Sequence, residues 1–463
     1  MAKRFLIETF GCQMNVHDSE RMAGLLVEAG YEATVAEDEA DLIVINTCSV
    51  REHAEEKLYS RLGELRVLQE ETGRRPVVTV AGCVAQQEGD ALRSKTNGQI
   101  IDVVLGTQRL KMLPMLVNRA TTHSMQTDIR AWDDVTFPLG ITRRTDAVKA
   151  YVTIVEGCND HCAFCVVPYT RGHERMRSKS EIMAEAREAV ASGHKEICLL
   201  GQIVNHYQAP DDASCDFPQL LSELNEIGGV ERIRFASPHP RHTSTRLIEA
   251  VRDLDRVCKH LHLPVQSGST SVLRSMRRRY TREEYLDLLF RIREAIPGVA
   301  LSTDVIVGFP GESAADFEQT LSLVSGAEYH SLFSFKYSVR PNTLAAKRMP
   351  DNVTEEEKTA RIVELQSLQR GVQWRLHTGA VGTTVSVLVD SISRRRQTEI
   401  SGRTVGNTVV NFPVPTDIPD SGLHSWMGRT VPVLITRAGP YSLSGEVVTA
   451  RTPGLREGHG HAD

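Results

Sequence analysis

Short apolar runs alternate with helical patterns in the first part of the chain. Three of these runs are rich in Ile, Val and Leu, as strands covered on both faces are. They lie at residues 5–10, 42–47 and 77–82. Helical patterns follow at 18–28 and 51–70, with a weaker one after residue 86. Because strands that alternate with helices run parallel, this pattern predicts an open parallel α/β sheet.

The alternation starts again near residue 150 and continues for six units. The predicted strands lie at residues 151–155, 197–200, 233–235, 261–263, 299–307 and 332–337. Helical patterns separate them, for example at 179–191 and 282–295. Six largely apolar strands with helices between them predict an incomplete parallel (βα)6 barrel, whose chemistry lies in the loops at the strand tops.

A charged helical stretch at residues 354–376 leads to a third region with a different pattern. From residue 381 to 448, Gly and Pro break up short β-branched runs: VSVLV, EISGRT, TVVNF, TVPVLIT and SLSGEVV. They predict a small five-stranded β-barrel of the oligonucleotide-binding kind. We therefore expect α/β domains at 1–120 and 144–375, an all-β domain at 377–449 and a disordered tail at 450–463.

Length, charge and cysteine content narrow the class of protein. The 463 residues suit about three domains, and the net charge of −5 gives no general signature of nucleic-acid binding. Contact with a polyanion would need local basic patches, of which the arginine runs at 277–279 and 394–396 are the densest. With no apolar span or secretion signal, we expect a cytoplasmic protein without membrane contact. Nine cysteines then favour reduced thiols and metal ligation over disulfides.

Three cysteines fall within eight residues after the first barrel strand, in the run CNDHCAFC. We call Cys158, Cys162 and Cys165 the loop triad. Three thiolates leave one iron of a four-iron cluster free to hold another ligand, whereas structural zinc normally has four protein ligands. The C-x3-C-x2-C spacing resembles the signature of radical S-adenosylmethionine (SAM) enzymes, in which the open iron binds SAM. His161 lies between two better ligands and is expected to be exposed or only near the metal.

Three further cysteines follow the three N-terminal strands. We call Cys12, Cys48 and Cys83 the strand-end triad. The carboxyl ends of parallel strands meet at one edge, which is also where such sheets bind ligands. The pattern therefore predicts a second tri-cysteine site, with three ordinary core cysteines as the alternative. The remaining cysteines fit neither triad and are expected to be core or surface thiols: Cys198, Cys215 and Cys258.

Motifs along nearly the whole chain resemble those of the MiaB-type tRNA methylthiotransferases. They are GCQMN from Gly11, the two triads, the loop continuing as VVPYTRGHERMRS, and then HLPVQSG, STDVIVGFPGE and YSVRPNTLA. The resemblance implies an N-terminal methylthiotransferase domain with an auxiliary 4Fe-4S cluster on the strand-end triad. It also implies a radical SAM core with the catalytic 4Fe-4S cluster on the loop triad, and a C-terminal TRAM domain that binds RNA.

The family reaction installs a methylthio group on C2 of N6-isopentenyladenosine at tRNA position 37, beside the anticodon. The C2 hydrogen is not acidic enough for a side-chain base, so a cofactor must supply the reactivity. The resemblance implies that one SAM gives a 5′-deoxyadenosyl radical and a second gives the methyl group, while the strand-end triad's cluster presents or donates sulfur. We also expect a low-potential electron donor of the flavodoxin or ferredoxin type and a sulfur donor. Nothing in the sequence requires more than a monomer.

The resemblance also implies a SAM pocket. It is expected to be lined by backbone around Phe164 and by the polar residues Gln202, Ser237, Gln266 and Asp304. Capping a helix or satisfying a strand end is the competing role for each polar residue. The chain departs from the family at Ile203, where Asn is usual, and slightly in ASPHP from Ala236.

Recognition of unpaired bases uses stacking and contacts between basic side chains and phosphate, so an anticodon loop should meet basic residues near the barrel mouth. The candidates are Arg171, Arg175, Arg177 and the two arginine runs, with a solvated surface as the alternative. GCQMN favours the isopentenyladenosine enzymes over siblings that act on threonylcarbamoyladenosine in tRNA or on ribosomal protein S12. A non-catalytic iron-sulfur or zinc RNA-binding protein is the alternative from another class.

Overall fold

The computed structural model describes residues 2–49, 52–96, 100–121, 125–131, 134, 136–414 and 422–448. The tail at 450–463, which we expect to be disordered, lies outside these residues. Among the residues that are described, no helix combines the length and the apolar character that crossing a bilayer requires.

The N-terminal region is a parallel sheet, as the alternation predicts, but it has six strands where the sequence pattern indicates three. Its strands are β1 (Arg4–Phe10), β2 (Glu32–Ala33), β3 (Leu42–Thr47), β4 (Val77–Gly82), β5 (Val103–Leu105) and β6 (Gln126–Asp128). Its helices are α1 (Gln13–Glu28), α2 (Glu52–Thr72), α3 (Cys83–Glu88), α4 (Ala91–Lys95) and α5 (Leu113–Ala120). The strand order is β2-β1-β3-β4-β5-β6, and apolar clusters cover both faces of the sheet.

Helix α1 begins earlier than the sequence pattern predicts. The pattern starts the helix near Asp18, whereas the structure starts it at Gln13 with Cys12 as the N-cap residue. The Asn15 side chain accepts a hydrogen bond from the Cys12 backbone N–H at 3.4 Å, which supports this first turn. Cysteine is not among the usual N-cap residues, so the sequence carried no start signal there.

Six parallel strands of the central region form an incomplete barrel. The strands of this region are β7 (Lys149–Thr153), β8 (Val155–Glu156), β9 (Arg175–Met176), β10 (Glu196–Leu200), β11 (Arg232–Phe235), β12 (His260–His262), β13 (Ala300–Val307) and β14 (Ser331–Lys336). The barrel strands make two sheets, β11-β10-β7 and β12-β13-β14, while β8 and β9 form a separate antiparallel pair. Within the described residues β7 and β14 do not pair with each other, so the barrel has an open side.

Helices surround the barrel and lead to the C-terminal region. They are α6 (Val167–Thr170), α7 (Lys179–Ala191), α8 (Phe217–Asn225), α9 (Thr245–Asp253), α10 (Thr270–Ser275), α11 (Arg282–Ala295), α12 (Ala314–Ala327), α13 (Leu344–Arg348) and α14 (Glu355–Gly379). The apolar core lies between these helices and the outward face of the strands, which includes Ile197, Leu199 and Ile233. Helix α14, the connector that the charged stretch predicts, starts at a capping box of Thr354 and Glu357.

A closed five-stranded barrel forms the C-terminal region, as the β-branched runs predict. Its strands are β15 (Thr384–Ile392), β16 (Glu399–Thr404), β17 (Val409–Pro413), β18 (Thr430–Ala438) and β19 (Leu443–Val447). The closed order is β15-β16-β17-β19-β18. Arg232 and Arg234 of β11 donate hydrogen bonds to backbone carbonyls at 403–405, at the end of β16. Because Arg232 begins its strand, the small barrel covers the amino end of the large one, opposite the strand-top loops.

Candidate active site

The backbone after β8 brings the loop triad together. Gly157 has a φ of 81°, and a Cβ on it would lie 1.9 Å from the carbonyl oxygen of His173, so only glycine fits this approach. The Cys158 N–H then donates to the Gly172 carbonyl at 3.1 Å, and the Cys165 N–H donates to the Cys162 carbonyl at 3.0 Å. The thiols consequently lie close together, and the charge of Cys162 raises the pKa of both Cys158 and Cys165.

Burial disfavours the thiolate forms of Cys158 and Cys165 unless a positive charge lies beside them. It raises the pKa of Cys158 to about 11 and that of Cys165 to about 12, and the neighbouring thiols act in the same direction. None of the nine cysteines, all of which lie in the described ranges, forms a disulfide, so these ligand atoms are not used in one. A metal cluster supplies the positive charge that deprotonated thiolates need, so the donor set fits a three-cysteine iron-sulfur site.

The loop is docked on the turn that follows α10. The Ala163 N–H donates to the Met276 carbonyl at 2.9 Å, and Arg278 Nη1 donates to Cys162 Sγ at 3.5 Å. Arg278 is only 6 % exposed, whereas its neighbours Arg277 and Arg279 are exposed. The sequence predicts one basic patch at 277–279, whereas the middle arginine of this run points inward and does not belong to the patch.

The register of three strands brings the strand-end triad together. Parallel pairing aligns Phe10 of β1 with Thr47 of β3, and Thr47 with Gly82 of β4. Cys48 and Cys83 directly follow this row, and Cys12 follows two residues after Phe10. Gly11 allows the close approach, since a Cβ on it would lie 2.8 Å from the Cys48 Cβ. The cysteines at three strand ends therefore share one sheet edge.

A buried arginine sets the electrostatics of this triad. A hydrogen bond with Cys48 lowers the pKa of Cys12 to about 5, against the effect of burial, and the charge of Arg171 acts in the same direction. Burial raises the pKa of Cys83, and Arg171 partly opposes that shift. The site thus combines three clustered thiols with a fixed cation that favours the thiolate forms of Cys12 and Cys83.

The sequence prediction that Arg171, Arg175 and Arg177 contact RNA phosphate is wrong, because the structure encloses all three side chains. They are 4 %, 8 % and 3 % exposed. Each has a carboxylate partner: Asp18 for Arg171 at 2.6 Å, Glu156 for Arg175 at 3.5 Å and Glu185 for Arg177 at 2.6 Å. Asp18 lies on α1, Glu156 on β8 and Glu185 on α7, and the sequence alone could not show that these elements meet around the three arginines.

Helix α1 holds the strand-end triad against the barrel. His17 of α1 is fully buried, and its Nδ1 lies 2.7 Å from Thr153 Oγ1 of β7. Burial lowers the pKa of His17 to about 3, so the ring is neutral in this contact. Met14 packs with Cys198 and Leu200 of β10, whose outward neighbours Ile197 and Leu199 face the helices. The start of α1, with Cys12, therefore lies on the lumen side of the barrel.

The residues expected at the SAM pocket lie at the carboxyl ends of neighbouring strands or just within them. Gln202 follows β10, and its Oε1 is buried without a hydrogen-bond partner in the described structure. Ser237 after β11 and Gln266 after β12 have φ values of 59° and 76°, in a region that is unfavourable for non-glycine residues and is often found at functional sites. Phe164 is partly buried in the apolar cluster beside the loop triad. An unpaired polar atom and two strained turns at one barrel mouth fit a polar ligand.

Asp304 has a different environment from the other pocket residues. Its carboxylate lies 3.3 Å from His262 Nε2, and its partner across the β13 and β14 pairing is Phe333. The Phe333 ring lies edge-on to His262, with 6.0 Å between the ring centroids. His262 and Phe333 are therefore further candidate site residues, which the sequence alone did not indicate.

Two aromatic side chains point into the lumen from β14. Ser334 accepts a hydrogen bond from Gln366, and Lys336 pairs with Glu355, so this face of β14 meets α14. Phe333 and Phe335 alternate with them on the opposite face and are 53 % and 37 % exposed. The alternation of residue types along 331–336 indicates that the two faces of this strand differ. Which face points into the lumen follows only from the position of α14, which covers the other face.

Asp160, His239 and His242 form a second group with metal-binding side chains, beside the loop triad. His239 Nδ1 accepts a hydrogen bond from the Arg241 backbone N–H at 3.2 Å, which leaves the ring proton on Nε2. Nε2 is the atom that faces the Asp160 carboxylate, at 3.6 Å. Burial lowers the pKa of His239 to about 2, so the ring is neutral, and in the tautomer that the Arg241 hydrogen bond favours the Nε2 atom carries a proton in place of a free lone pair. The group therefore supports the loop rather than a cation.

Comparison with known families divides the chain into three matched regions. The uncharacterized protein family UPF0004 matches residues 4–106, the radical SAM superfamily matches 152–324 and the TRAM domain matches 380–448. A tRNA-2-methylthio-N(6)-dimethylallyladenosine synthase of Solibacter usitatus is 43 % identical over 96 % of this chain and 98 % of its own length. A protein of the same name from Geobacter metallireducens is 44 % identical, with the same coverage.

Solved structures support the same fold at low sequence identity. A radical S-adenosylmethionine methyltransferase, TsrM, from Kitasatospora setae, solved with tryptophan and a SAM analogue, aligns with a TM-score of 0.54 at 13 % identity. The alignment covers 74 % of this chain and 75 % of that one. The cobalamin-dependent radical enzyme OxsB aligns with a TM-score of 0.50 at 11 % identity, over 80 % of this chain and 56 % of its own. At this identity the likeness concerns the fold alone.

Proposed function

Because the chain belongs to the tRNA-2-methylthio-N(6)-dimethylallyladenosine synthase family, we propose that it methylthiolates C2 of N6-isopentenyladenosine at tRNA position 37. The chain is a radical SAM methylthiotransferase that uses SAM and carries 4Fe-4S clusters. The observation that carries the proposal is the pairing of two tri-cysteine sites on one barrel: a loop triad at its mouth, and a strand-end triad held on its lumen side by α1.

We assign the two triads different roles. The loop triad would hold the catalytic cluster, with the pocket of Gln202, Ser237 and Gln266 around SAM. When bound, this cluster supplies the electron that cleaves SAM to methionine and a 5′-deoxyadenosyl radical. The strand-end triad would hold the auxiliary cluster, with Arg171 as the cation beside it. With these roles, the radical source at the loop triad and the sulfur source at the strand-end triad would face the same lumen.

The lumen surface suits a prenylated purine. Phe333 and Phe335 present apolar and aromatic surface there, and the adenine carries a flat ring and an apolar isopentenyl chain. The threonylcarbamoyl group of the sibling substrate carries a carboxylate, which these two side chains could not satisfy. The two phenylalanines therefore favour the isopentenyl substrate, with Asp304 and His262 as the polar groups beside it.

The remaining assignments stay predictions. We propose the domain division at 1–120, 144–375 and 377–449, which the matched family regions at 4–106, 152–324 and 380–448 support. An electron donor of the flavodoxin or ferredoxin type, a sulfur donor and a monomeric state complete the proposal. We place the reaction in the cytoplasm because the substrate is tRNA and the site needs reduced thiols.

Nucleosides from a strain that lacks this protein test the function. We expect 2-methylthio-N6-isopentenyladenosine to disappear and N6-isopentenyladenosine to accumulate, because the unmodified C2 is the substrate. Mass spectrometry of digested tRNA measures both, and expression of the intact chain should restore the methylthio nucleoside. An unchanged level of 2-methylthio-N6-isopentenyladenosine would overturn the proposal. If the methylthio derivative of threonylcarbamoyladenosine disappeared instead, the chain would be assigned to the sibling reaction.

A basic surface beside the loop triad is our candidate for the tRNA backbone. Arg274, Arg277 and Arg279 are exposed and line a cavity of about 510 Å³. Arg277 and Arg279 have φ values of 59° and 58°, and these left-handed residues flank the inward-pointing Arg278. Three cations near the barrel mouth can meet phosphates while a loop base enters the lumen. The exposed run at 394–396 in the loop after β15 is the second candidate.

Replacing Arg274, Arg277 and Arg279 together by Gln is expected to weaken binding of an anticodon stem-loop most at low salt. Each lost phosphate contact should reduce the slope of log K against log salt concentration by about 0.7, the value for single strands. Fluorescence anisotropy across a salt series measures this slope. The control replaces Arg187, Arg252 and Arg291, which lie on α7, α9 and α11, and should leave it unchanged. Equal slopes for the two triple variants would exclude this surface.

A further inference from the structure

The backbone conformation on either side of Arg278 directs its side chain away from the exposed basic surface. Its flanking residues Arg277 and Arg279 adopt left-handed backbone conformations and expose their side chains, whereas the Arg278 side chain is directed inward and is 6 % exposed. The Arg278 N–H donates to the Leu273 carbonyl at 2.9 Å, which closes the turn after α10. A guanidinium that is enclosed in this way cannot serve as an RNA phosphate contact.

The guanidinium is oriented by partners on three sides. Nη2 donates to the Pro264 carbonyl at 3.0 Å, and Nε donates to the Tyr280 hydroxyl at 3.0 Å. The Tyr280 hydroxyl in turn donates to the Val265 carbonyl at 3.0 Å. These contacts fix the plane of the group, and its remaining terminal nitrogen, Nη1, lies 3.5 Å from Cys162 Sγ. The sulfur contact therefore depends on a rigid arrangement rather than on a mobile side chain.

The same turn also binds the backbone of the cysteine loop. The Met276 carbonyl accepts a hydrogen bond from the Ala163 N–H at 2.9 Å, one residue after Cys162. The segment 264–265, which holds the guanidinium, directly precedes Gln266 of the SAM pocket. Arg278 thus connects a thiol of the loop triad with the strand top beside the SAM pocket.

We propose that Arg278 is a positioning residue of the radical SAM cluster, whose charge and hydrogen bond to Cys162 Sγ raise the cluster's reduction potential. The inference rests on the proposed ligation of that cluster by the loop triad. Hydrogen bonds to ligand sulfurs and nearby positive charge favour the reduced cluster, because reduction adds a negative charge. Because the cluster must accept an electron from a low-potential donor, a higher cluster potential would make that electron transfer more favourable.

The experiment measures the potential of this cluster alone. Cys12, Cys48 and Cys83 are replaced by Ala in the full chain, so that only the loop triad can carry a cluster. Reconstituted protein is then titrated with reductant under electron paramagnetic resonance, with Arg278→Gln and Arg278→Met compared with the parent. We expect the ratio of reduced to oxidised cluster at the parent midpoint to fall about tenfold, a shift of about 59 mV to more negative potential for one electron.

Two further variants separate charge from structure. Arg278→Lys keeps the charge and should stay closer to the parent potential, and the exposed neighbour Arg277→Gln should match the parent. If Arg278→Met loads no iron, Arg278→Gln, which retains an N–H donor, decides the result. Two results would overturn the proposal. One is an unshifted potential in Arg278→Gln that carries its cluster. The other is that neither neutral variant binds a cluster while Arg278→Lys, which keeps the charge, still changes the ratio of reduced to oxidised cluster tenfold. A parent that binds no cluster would instead contradict the proposed function.

Discussion

Replacing Cys12, Cys48 and Cys83 by Ala is expected to abolish methylthiolation of the tRNA while SAM cleavage continues. The strand-end triad lies on a different element of the chain from the SAM pocket, so its loss removes the proposed sulfur source and leaves the radical source in place. Liquid chromatography with mass spectrometry measures 5′-deoxyadenosine and the methylthio nucleoside in the same anaerobic reaction.

Replacing Cys158, Cys162 and Cys165 by Ala is expected to abolish both products, because without the cluster SAM receives no electron. The control replaces Cys215 and Cys258, which are buried but belong to neither triad, and should keep both products. If the strand-end variant still methylthiolated tRNA, or if it lost SAM cleavage as completely as the loop variant, the assignment of separate roles would fail.

Replacing Arg171 by Met is expected to destabilise the protein by about 3–5 kcal/mol, the range for breaking a buried ion pair. Arg171 and the Asp18 carboxylate of α1 form an ion pair at 2.6 Å, and Asp18 is only 1 % exposed. The substitution leaves this buried carboxylate without its partner. It also removes the cation that favours the thiolates of Cys12 and Cys83, so iron in the strand-end site should decrease. Chemical denaturation, with iron analysis of the same samples, measures both effects.

Two variants control for the loss of an arginine as such. Arg291→Met breaks an exposed pair with Asp287 on α11 and should change stability by only about 0.3–0.5 kcal/mol. Combining Arg171→Met with Asp18→Asn removes both charges and should recover much of the lost stability, since the unpaired carboxylate causes most of the loss. Equal stability of Arg171→Met and Arg291→Met would show that the buried pair does not hold α1 against the barrel.

The repeating elements of the fold were predictable from local pattern. The apolar runs at 42–47 and 77–82 coincide with β3 and β4, and the helical patterns at 179–191 and 282–295 coincide with α7 and α11. These elements are buried on one side or both, so their hydrophobic periodicity is strong. The start of α1 was not predictable in this way, because a cysteine cap carries no common signal.

The site was predictable only where its residues are close in sequence or follow a repeated element. The loop triad is one motif, and the strand-end triad follows from parallel strands that end at one edge. The burial of Arg171 depends on which domain covers its segment, and the inward direction of Arg278 depends on two left-handed neighbours. Phe333 became a site residue only through the position of α14 across its strand. Each of these depends on tertiary packing, which no local pattern encodes.

Iron content tests the central claim, two separate clusters on two triads, most directly. Anaerobically reconstituted intact protein should bind about eight irons per chain, as two four-iron clusters require. The variants that lack either the strand-end triad or the loop triad should each bind about four. Bound zinc in place of iron, or a single triad variant that loses all of the iron while the other retains it, would contradict the claim.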